Sequence, residues 1–330
     1  MNGPDSVVVI VVNHNSGGYL KACLESMKVQ TRKPDRVIVM DNASSDGSLD
    51  QARDTLPEAE LVCLDTNTGF AAANNRAVRQ AGDCRWVALL NPDAAPDPDW
   101  LQSLLDAAAA HPDHSFFGSH LVQYDDSERL DGTGDVYHVC GLAWRRDHGR
   151  RAKLCRRETG DVFSPCAAAA LYDRNAFLDA GGFDEDFFAY FEDTDLAFRL
   201  RLSGHRCLYV AGARVRHAGW GSSEPGSEFS IYHAHRNLVW TFVKNMPAPL
   251  HWKYLPAHLA LNLFSILWFT LKGKPGVILK AKWDALRGLP AALKKRRAIQ
   301  KHIVTEAGAL QQAMNRNWLE PFKVFLMRRR

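Results

Sequence analysis

The chain has 330 residues of ordinary globular composition, 46% hydrophobic and 24% charged, which is enough to bury a core and to hold one large domain with an extension. Its net charge of +4 hides an asymmetry: residues 1–243 carry 24 Lys+Arg against 34 Asp+Glu, and residues 244–330 carry 17 against 3. An acidic body with a basic tail points to an anionic membrane surface as the tail's partner; with no zinc finger, RNP-type motif or basic heptad helix, no nucleic acid partner is expected.

The seven cysteines are scattered without a C-x-x-C pair, a pattern of reduced thiols and not of a disulfide frame or zinc site. The first residues, Met1-Asn2-Gly3-Pro4-Asp5, run into a strand without a basic, then apolar, leader, so no secretion signal is expected.

In chain order, the apolar runs 7–12, 36–40, 60–64 and 86–90 each read as a buried parallel strand. Between them, 19–29, 48–56 and 71–81 have helical spacing of apolar residues. The alternation predicts an α/β fold with a doubly wound, mostly parallel sheet and flanking helices. Ligands of such sheets bind beyond the carboxyl ends of the strands. Polar signals gather there: Asn13-His14-Asn15, Asp41-Asn42-Ala43-Ser44, Asn67-Thr68-Gly69 and Asn91-Pro92-Asp93. Any one of these reads as a turn or cap; four in register read as a site.

Periodicity fades between 125 and 164, and Arg145, Arg146, Arg150, Arg151, Lys153, Arg156 and Arg157 follow one another closely, which predicts a mobile, solvent-facing loop. A sharper reading has these forks closing over a diphosphate or anionic acceptor. Residues 183–196 then place six carboxylates among five aromatic rings just before a helical segment ending at Leu202. Repulsion and burial there raise some carboxyl pKa values, as a general base near neutral pH requires, while the simpler reading is a helix start carrying favourable acids. Residues 255–271, interrupted by Pro256, His258 and Asn262, make a poor membrane span. Flanking Trp252, Lys253, Lys272, Lys274 and Trp283, with 294–297 (KKRR), suit a helix lying in the cytoplasmic leaflet; the alternative is a hairpin packed on the body.

Taken together, 11–16 (VVNHNS), 39–48 (VMDNASSDGS), 67–75 (NTGFAAANN), 90–93 (LNPD), 181–185 (GGFDE) and 191–196 (FEDTDL) resemble family 2 inverting glycosyltransferases of the GT-A fold. The Asn-Thr-Gly-Phe-Ala and Asn-Pro-Asp pair resembles the rhamnosyltransferase-like branch, whose members use dTDP-L-rhamnose. The resemblance covers about residues 5–245 and implies a catalytic domain over 1–245; the tail's charge and apolar run make 246–330 a basic, apolar, helical extension expected to associate with a membrane.

It also implies roles. Asp41 would accept from the pyrimidine N3, with Asn13, Asn15 and Asn42 shaping the nucleoside pocket. Asn67, Gly69 and Asn74 would face sugar and diphosphate, the glycine allowing close backbone approach. Asp93 would end the family's D-x-D metal motif, whose first acid is Asn91 here, and with His217 would ligate Mg²⁺ or Mn²⁺. Asp193 is the expected base and Glu192 its rival, more readily an acceptor-orienting group; Asp195 would cap or brace the helix. The reading is a metal-dependent inverting transferase, peripheral on the cytoplasmic face of the inner membrane, with a nucleotide-sugar donor and a glycan or lipid-linked acceptor. A UDP-sugar hexosyl or galactofuranosyl transferase and a non-catalytic glycan-assembly scaffold are the alternatives, and tail aromatics would equally serve a homodimer.

Overall fold

The computed structural model describes residues 3, 5–155, 157–219, 226–321 and 323; Arg156 of the basic run and Trp220, beside His217, lie outside the described residues. The first elements alternate as expected: β1 (Val7–Asn13), α1 (Gly18–Lys28), β2 (Arg36–Asp41), α2 (Ser48–Thr55), β3 (Glu60–Cys63), α3 (Gly69–Gln80) and β4 (Trp86–Leu90). There follow β5 (Ala94–Pro96), α4 (Trp100–Ala110), β6 (His114–Gln123), β7 (Leu130–Gly132), β8 (Asp135–Tyr137), β9 (Ala143–Arg145), β10 (Gly160–Val162), β11 (Ala169–Asp173), α5 (Arg174–Asp179), α6 (Glu192–Leu202) and β12 (Arg206–His217). The chain continues through α7 (Glu228–Asn245), α8 (Ala248–Leu271), α9 (Pro275–Arg287), α10 (Leu289–Ile299) and α11 (Ala307–Ala313).

The main sheet runs β10-β12-β6-β11-β4-β1-β2-β3, with β5 added to β12 and β7 to β6. β1 pairs in parallel with β2 and β4, β2 with β3, and β6 with β12. β11 is antiparallel to both β4 and β6, so the strands on either side of it share one direction. The carboxyl ends of β1, β2, β4 and β12 therefore meet at one edge, where their polar residues can converge.

β1 is buried along its whole length, as a β-branched central strand must be. Its side chains alternate between two cores, Val7, Val9 and Val11 packing with Leu20, Leu24 and Trp100, and Val8, Ile10 and Val12 with Ala73, Phe177 and Leu196. β3, expected to be buried, is instead the half-exposed edge strand, because the order ends there.

The expectation of a mobile loop after residue 125 is corrected. Four short strands lie there, β8 pairing with β9, β7 with β6 and β10 with β12, and the basic residues are tied down. Arg146 donates to Thr133 Oγ1 (3.0 Å), and Arg150 (3.1 Å) and Arg157 (2.7 Å) pair with Asp147. Three-residue strands are too short to show a period in sequence.

A third core joins body and tail: Tyr137 and the α6 residues Phe198 and Leu202 pack with Phe242, Met246, Leu250, Tyr254, Leu310 and Met314. α8, 24 residues with Pro256 inside, buries Leu250, Tyr254, His258, Leu261 and Ser265, one stripe at helical spacing. It is long and apolar enough to cross a membrane by length and composition, yet it lies along the body. The opposite stripe, Trp252, Leu259, Leu263, Leu267 and Leu271, is exposed, as are Leu279, Trp283 and Leu286 of α9.

Candidate active site

At the edge where β1 and β2 end, the predicted polar residues meet, but most are spent on one another. Asn13 is fully buried; its Nδ2 donates to Asp41 Oδ1 (2.8 Å), Ser48 Oγ (2.9 Å) and Ser44 Oγ (3.0 Å), and its Oδ1 accepts from Ser16. Asp41 Oδ2 accepts from Ser44 N (3.0 Å). Asn42, also buried, donates to Asn67 Oδ1 (2.9 Å) and accepts from Thr68 N (2.8 Å), while exposed Asn15 accepts from Ser45 N (2.8 Å). These amides shape the crevice by clamping its loops to each other. Buried Asn74 donates to Phe70 O (2.9 Å) within α3.

Gly69 has φ +84°, and a Cβ there would meet the Phe188 ring at 2.6 Å and Phe188 O at 2.8 Å. The missing side chain thus lets the backbone approach Phe188 closely.

Asp93 and His217 are both 3% exposed, and His217 Nε2 lies 3.4 Å from Asp93 Oδ1 and 3.5 Å from Asn91 Nδ2. His217 Nδ1 lies 2.8 Å from Asp131 Oδ2, a carboxylate that the sequence reading passed over. A second carboxylate on the far ring nitrogen is how proteins fix the tautomer of a metal-binding histidine. Burial would lower the His217 pKa, but Asp93 and Asp131 push it up to about 9. Asn91 Oδ1 is buried without a hydrogen-bond partner among the described residues. Two oxygen-bearing side chains and an oriented imidazole are a donor set suited to Mg²⁺ or Mn²⁺.

Asp131 in turn accepts from Arg145, at the end of β9. A Cβ at Gly132 would meet Arg145 Cγ at 2.5 Å, so the glycine makes room for the arginine's stem. Burial pushes the Asp131 carboxyl up, but Arg145, His148 and His217 hold it well below the usual range. Asp131, Asp135 and Asp193 all favour the Arg145 charge against its burial, so this guanidinium acts on both the histidine side of the site and Asp193. His111, Asp113 and His114 also cluster. There His114 is already bonded to Asp113 (2.9 Å) and Asp161 (2.7 Å), and Arg206 pairs with both acids, which makes an ion-pair network and a poor cation site.

Glu192 and Asp193 open α6. Burial and the neighbouring Asp193 push the buried Glu192 carboxyl well above its usual range, and its Oε2 has no hydrogen-bond partner among the described residues. Asp193 is half-buried; burial raises its pKa, opposed by the N–H groups of Ala167 (3.2 Å) and Thr194 (2.7 Å). Asp135 is pushed up to about 7 by burial and by Asp193. The residues just before the pair are strained: Phe188, Tyr190 and Phe191 have φ of 66°, 66° and 70°. Fully buried Asn237 of α7 holds them, its Nδ2 donating to Phe187 O (3.1 Å), Ala189 O (2.9 Å) and Tyr190 O (2.7 Å). Asp195 braces instead of capping: it pairs with Arg199 (2.9 Å) and Lys244 (2.9 Å) and accepts from Asn245 (2.8 Å).

A nucleotide-type crevice, a buried Asp–His pair and a raised carboxylate pair opening a helix, on a sheet of this order, are the parts of a GT-A glycosyltransferase. The model of glycosyl transferase family 2 matches residues 8–180, and the chain belongs to that family. It is 30% identical over 280 residues to N-acetylglucosaminyl-diphospho-decaprenol L-rhamnosyltransferase of Mycobacterium tuberculosis, covering 75% of this chain and 89% of the relative. The O-antigen chain rhamnosyltransferase of Salmonella typhimurium is 25% identical over 68% of this chain and 70% of its own length. A mannosyltransferase from Pyrobaculum calidifontis, solved with GDP-Man and Mn²⁺, superposes with a TM-score of 0.53 at 20% identity over 95% of this chain and 87% of that one.

Proposed function

We propose that the protein is a metal-dependent inverting rhamnosyltransferase that moves L-rhamnose from dTDP-L-rhamnose to a hydroxyl of a lipid-linked or nascent cell-surface glycan. One observation carries the reading: Arg145 links the carboxylate that orients His217 toward Asp93 to the carboxylates around Asp193. The two rhamnosyltransferase relatives support the sugar, and the diphospho-decaprenol relative supports a polyprenyl-diphosphate acceptor carrying an amino sugar.

Asp93 and His217 would hold Mg²⁺ or Mn²⁺ beside Asn91, and Asp41 would bind the base of the nucleotide. The bound cation supplies positive charge to the leaving nucleoside diphosphate. Asp193 takes the proton of the acceptor hydroxyl as that oxygen attacks the anomeric carbon from the face opposite the diphosphate, so a β-linked donor gives an α-linkage. Glu192 orients the acceptor, and Arg145 keeps Asp193 ionisable among its acidic neighbours.

Residues 1–245 form the catalytic unit in this reading and 246–330 the extension. The exposed apolar stripes of α8 and α9, rimmed by Lys253, Lys272, Lys280 and Arg287, then rest on the anionic cytoplasmic leaflet. Co-sedimentation with vesicles rich in anionic lipid, lost on Leu263→Asp with Leu267→Asp, is the expected result; a salt-insensitive dimer instead would assign the stripes to a second copy.

The test of the chemistry is nucleoside diphosphate release with Mg²⁺ or Mn²⁺ across dTDP-, UDP- and GDP-sugars, with and without a polyprenyl-diphosphate acceptor, against EDTA. Metal-dependent release peaking with dTDP-rhamnose is expected. A peak with a UDP-sugar would overturn the donor, and no donor or metal stabilising the protein against heat would favour a scaffold.

A further inference from the structure

A cavity of about 650 Å³ lies between the β8–β9 ribbon, β10, the end of α6 and the segment 305–315. Its size falls within the roughly 300–1,000 Å³ of small-molecule sites. From α6 the cavity takes Arg201, near the end of the helix that Asp193 opens, and eleven helical residues span roughly 15 Å; Asp135 is the residue of the wall that also feels Asp193.

The cations of its wall fall into two kinds. Arg206 is neutralised by Asp113 and Asp161 (2.6 Å). Arg146 and Arg201 have no carboxylate partner among the described residues, and they are anchored in the same way. Arg146 donates through Nε to Thr133 Oγ1 (3.0 Å) and through Nη2 to Thr133 O (2.6 Å). Arg201 donates through Nε to Phe163 O (2.7 Å) and through Nη2 to Val162 O. In each the Nη1 group makes no hydrogen bond among the described residues. The two forks also lie over aromatic rings, 5.3 Å from the Tyr209 centroid and 5.1 Å from that of Phe163.

Burial acts against both charges, lowering both pKa values. The remaining acid of the wall, Asp135, is pushed up to about 7, so its charge is partly withdrawn near neutral pH. Neutral partners orient a guanidinium without cancelling its charge, which leaves a planar donor set that matches phosphate oxygens. Val136, Phe163, Leu310 and Met314 supply apolar wall beside these donors.

We propose that this cavity is a second ligand site, separate from the transferase crevice, which binds a small phosphorylated organic molecule through Arg146 and Arg201. The probe is glucose 1-phosphate, titrated calorimetrically into the full-length protein in EDTA, so that no divalent metal can hold phosphate at Asp93. One site per chain is expected. Arg146→Met and Arg201→Met should each weaken it at least about tenfold, the worth of one charge-assisted hydrogen bond, while Asp93→Asn leaves it unchanged. Retained transferase activity marks the arginine variants as folded, and Arg146, being tied to a single residue, is the safer of the two. No binding by the parent protein, binding indifferent to Arg146→Met, or binding lost in Asp93→Asn would overturn the proposal.

Discussion

Asp184 and Asp193 belong to one acidic stretch and behave in opposite ways. Burial pushes both carboxyls up, but Lys244 and Lys295 bring Asp184 down to about 2, whereas Asp193 has N–H partners and remains raised. The lysines come from α7 and α10, remote in sequence. What separates a depressed carboxyl from a raised one here is therefore which cations reach it, not how densely the acids are written.

The largest effect expected from breaking this division falls on the paired side. Asp195→Ala strips a buried acid from Arg199 and Lys244 and should cost about 3–5 kcal/mol of stability in a urea titration. On the unpaired side, Asp193→Asn should lower kcat by about 10² or more with donor affinity nearly intact; near-normal turnover would remove Asp193 as the base. Asp131→Asn, which weakens the hold on His217, should reduce metal affinity by about 10–100-fold, read by titrating Mn²⁺ against donor-dependent turnover.

A pH series sharpens the contrast. The folded Asp184 carboxyl is depressed from its ordinary 3.8 to about 2, so its stabilising share is present above about pH 4 and is lost as pH falls toward 2. That share is about 2 kcal/mol, and Asp184→Asn should flatten the acid limb of the stability curve by a like amount. The Asp193 carboxyl is raised, so activity should fall with decreasing pH at a higher pH than an ordinary carboxylate would give. Asp135→Asn, by removing a neighbouring negative charge, should move that limb to lower pH; an unmoved limb would uncouple the two acids.

The parallel half of the fold was legible because its strands and helices are long enough to show a period, and the edge position of β3 was not, because it depends on strand order. The polar strand ends were legible as a cluster. Their division of labour was not, since whether Asn13 or Asn42 faces a ligand depends on which side chains from other loops saturate its amide. Asp131 and Asp135 escaped notice, and Arg145 stood out only as part of a basic run, because all three lie on three-residue strands that read as loop. A signal did exist for Gly132, beside Asp131, as the space it leaves for Arg145 is what a glycine within a strand advertises.

The third core has a practical consequence for anyone who would shorten this protein to make it easier to handle. Phe198 and Leu202, on the helix that carries Asp193, are covered by Leu250, Tyr254, Leu310 and Met314. A chain cut after Asn245 would lose the cover of the helix that carries Asp193 together with Lys295, one of the two cations on Asp184. Solubility is better sought by replacing the outward leucines of α8 one at a time, leaving the inward stripe where it is.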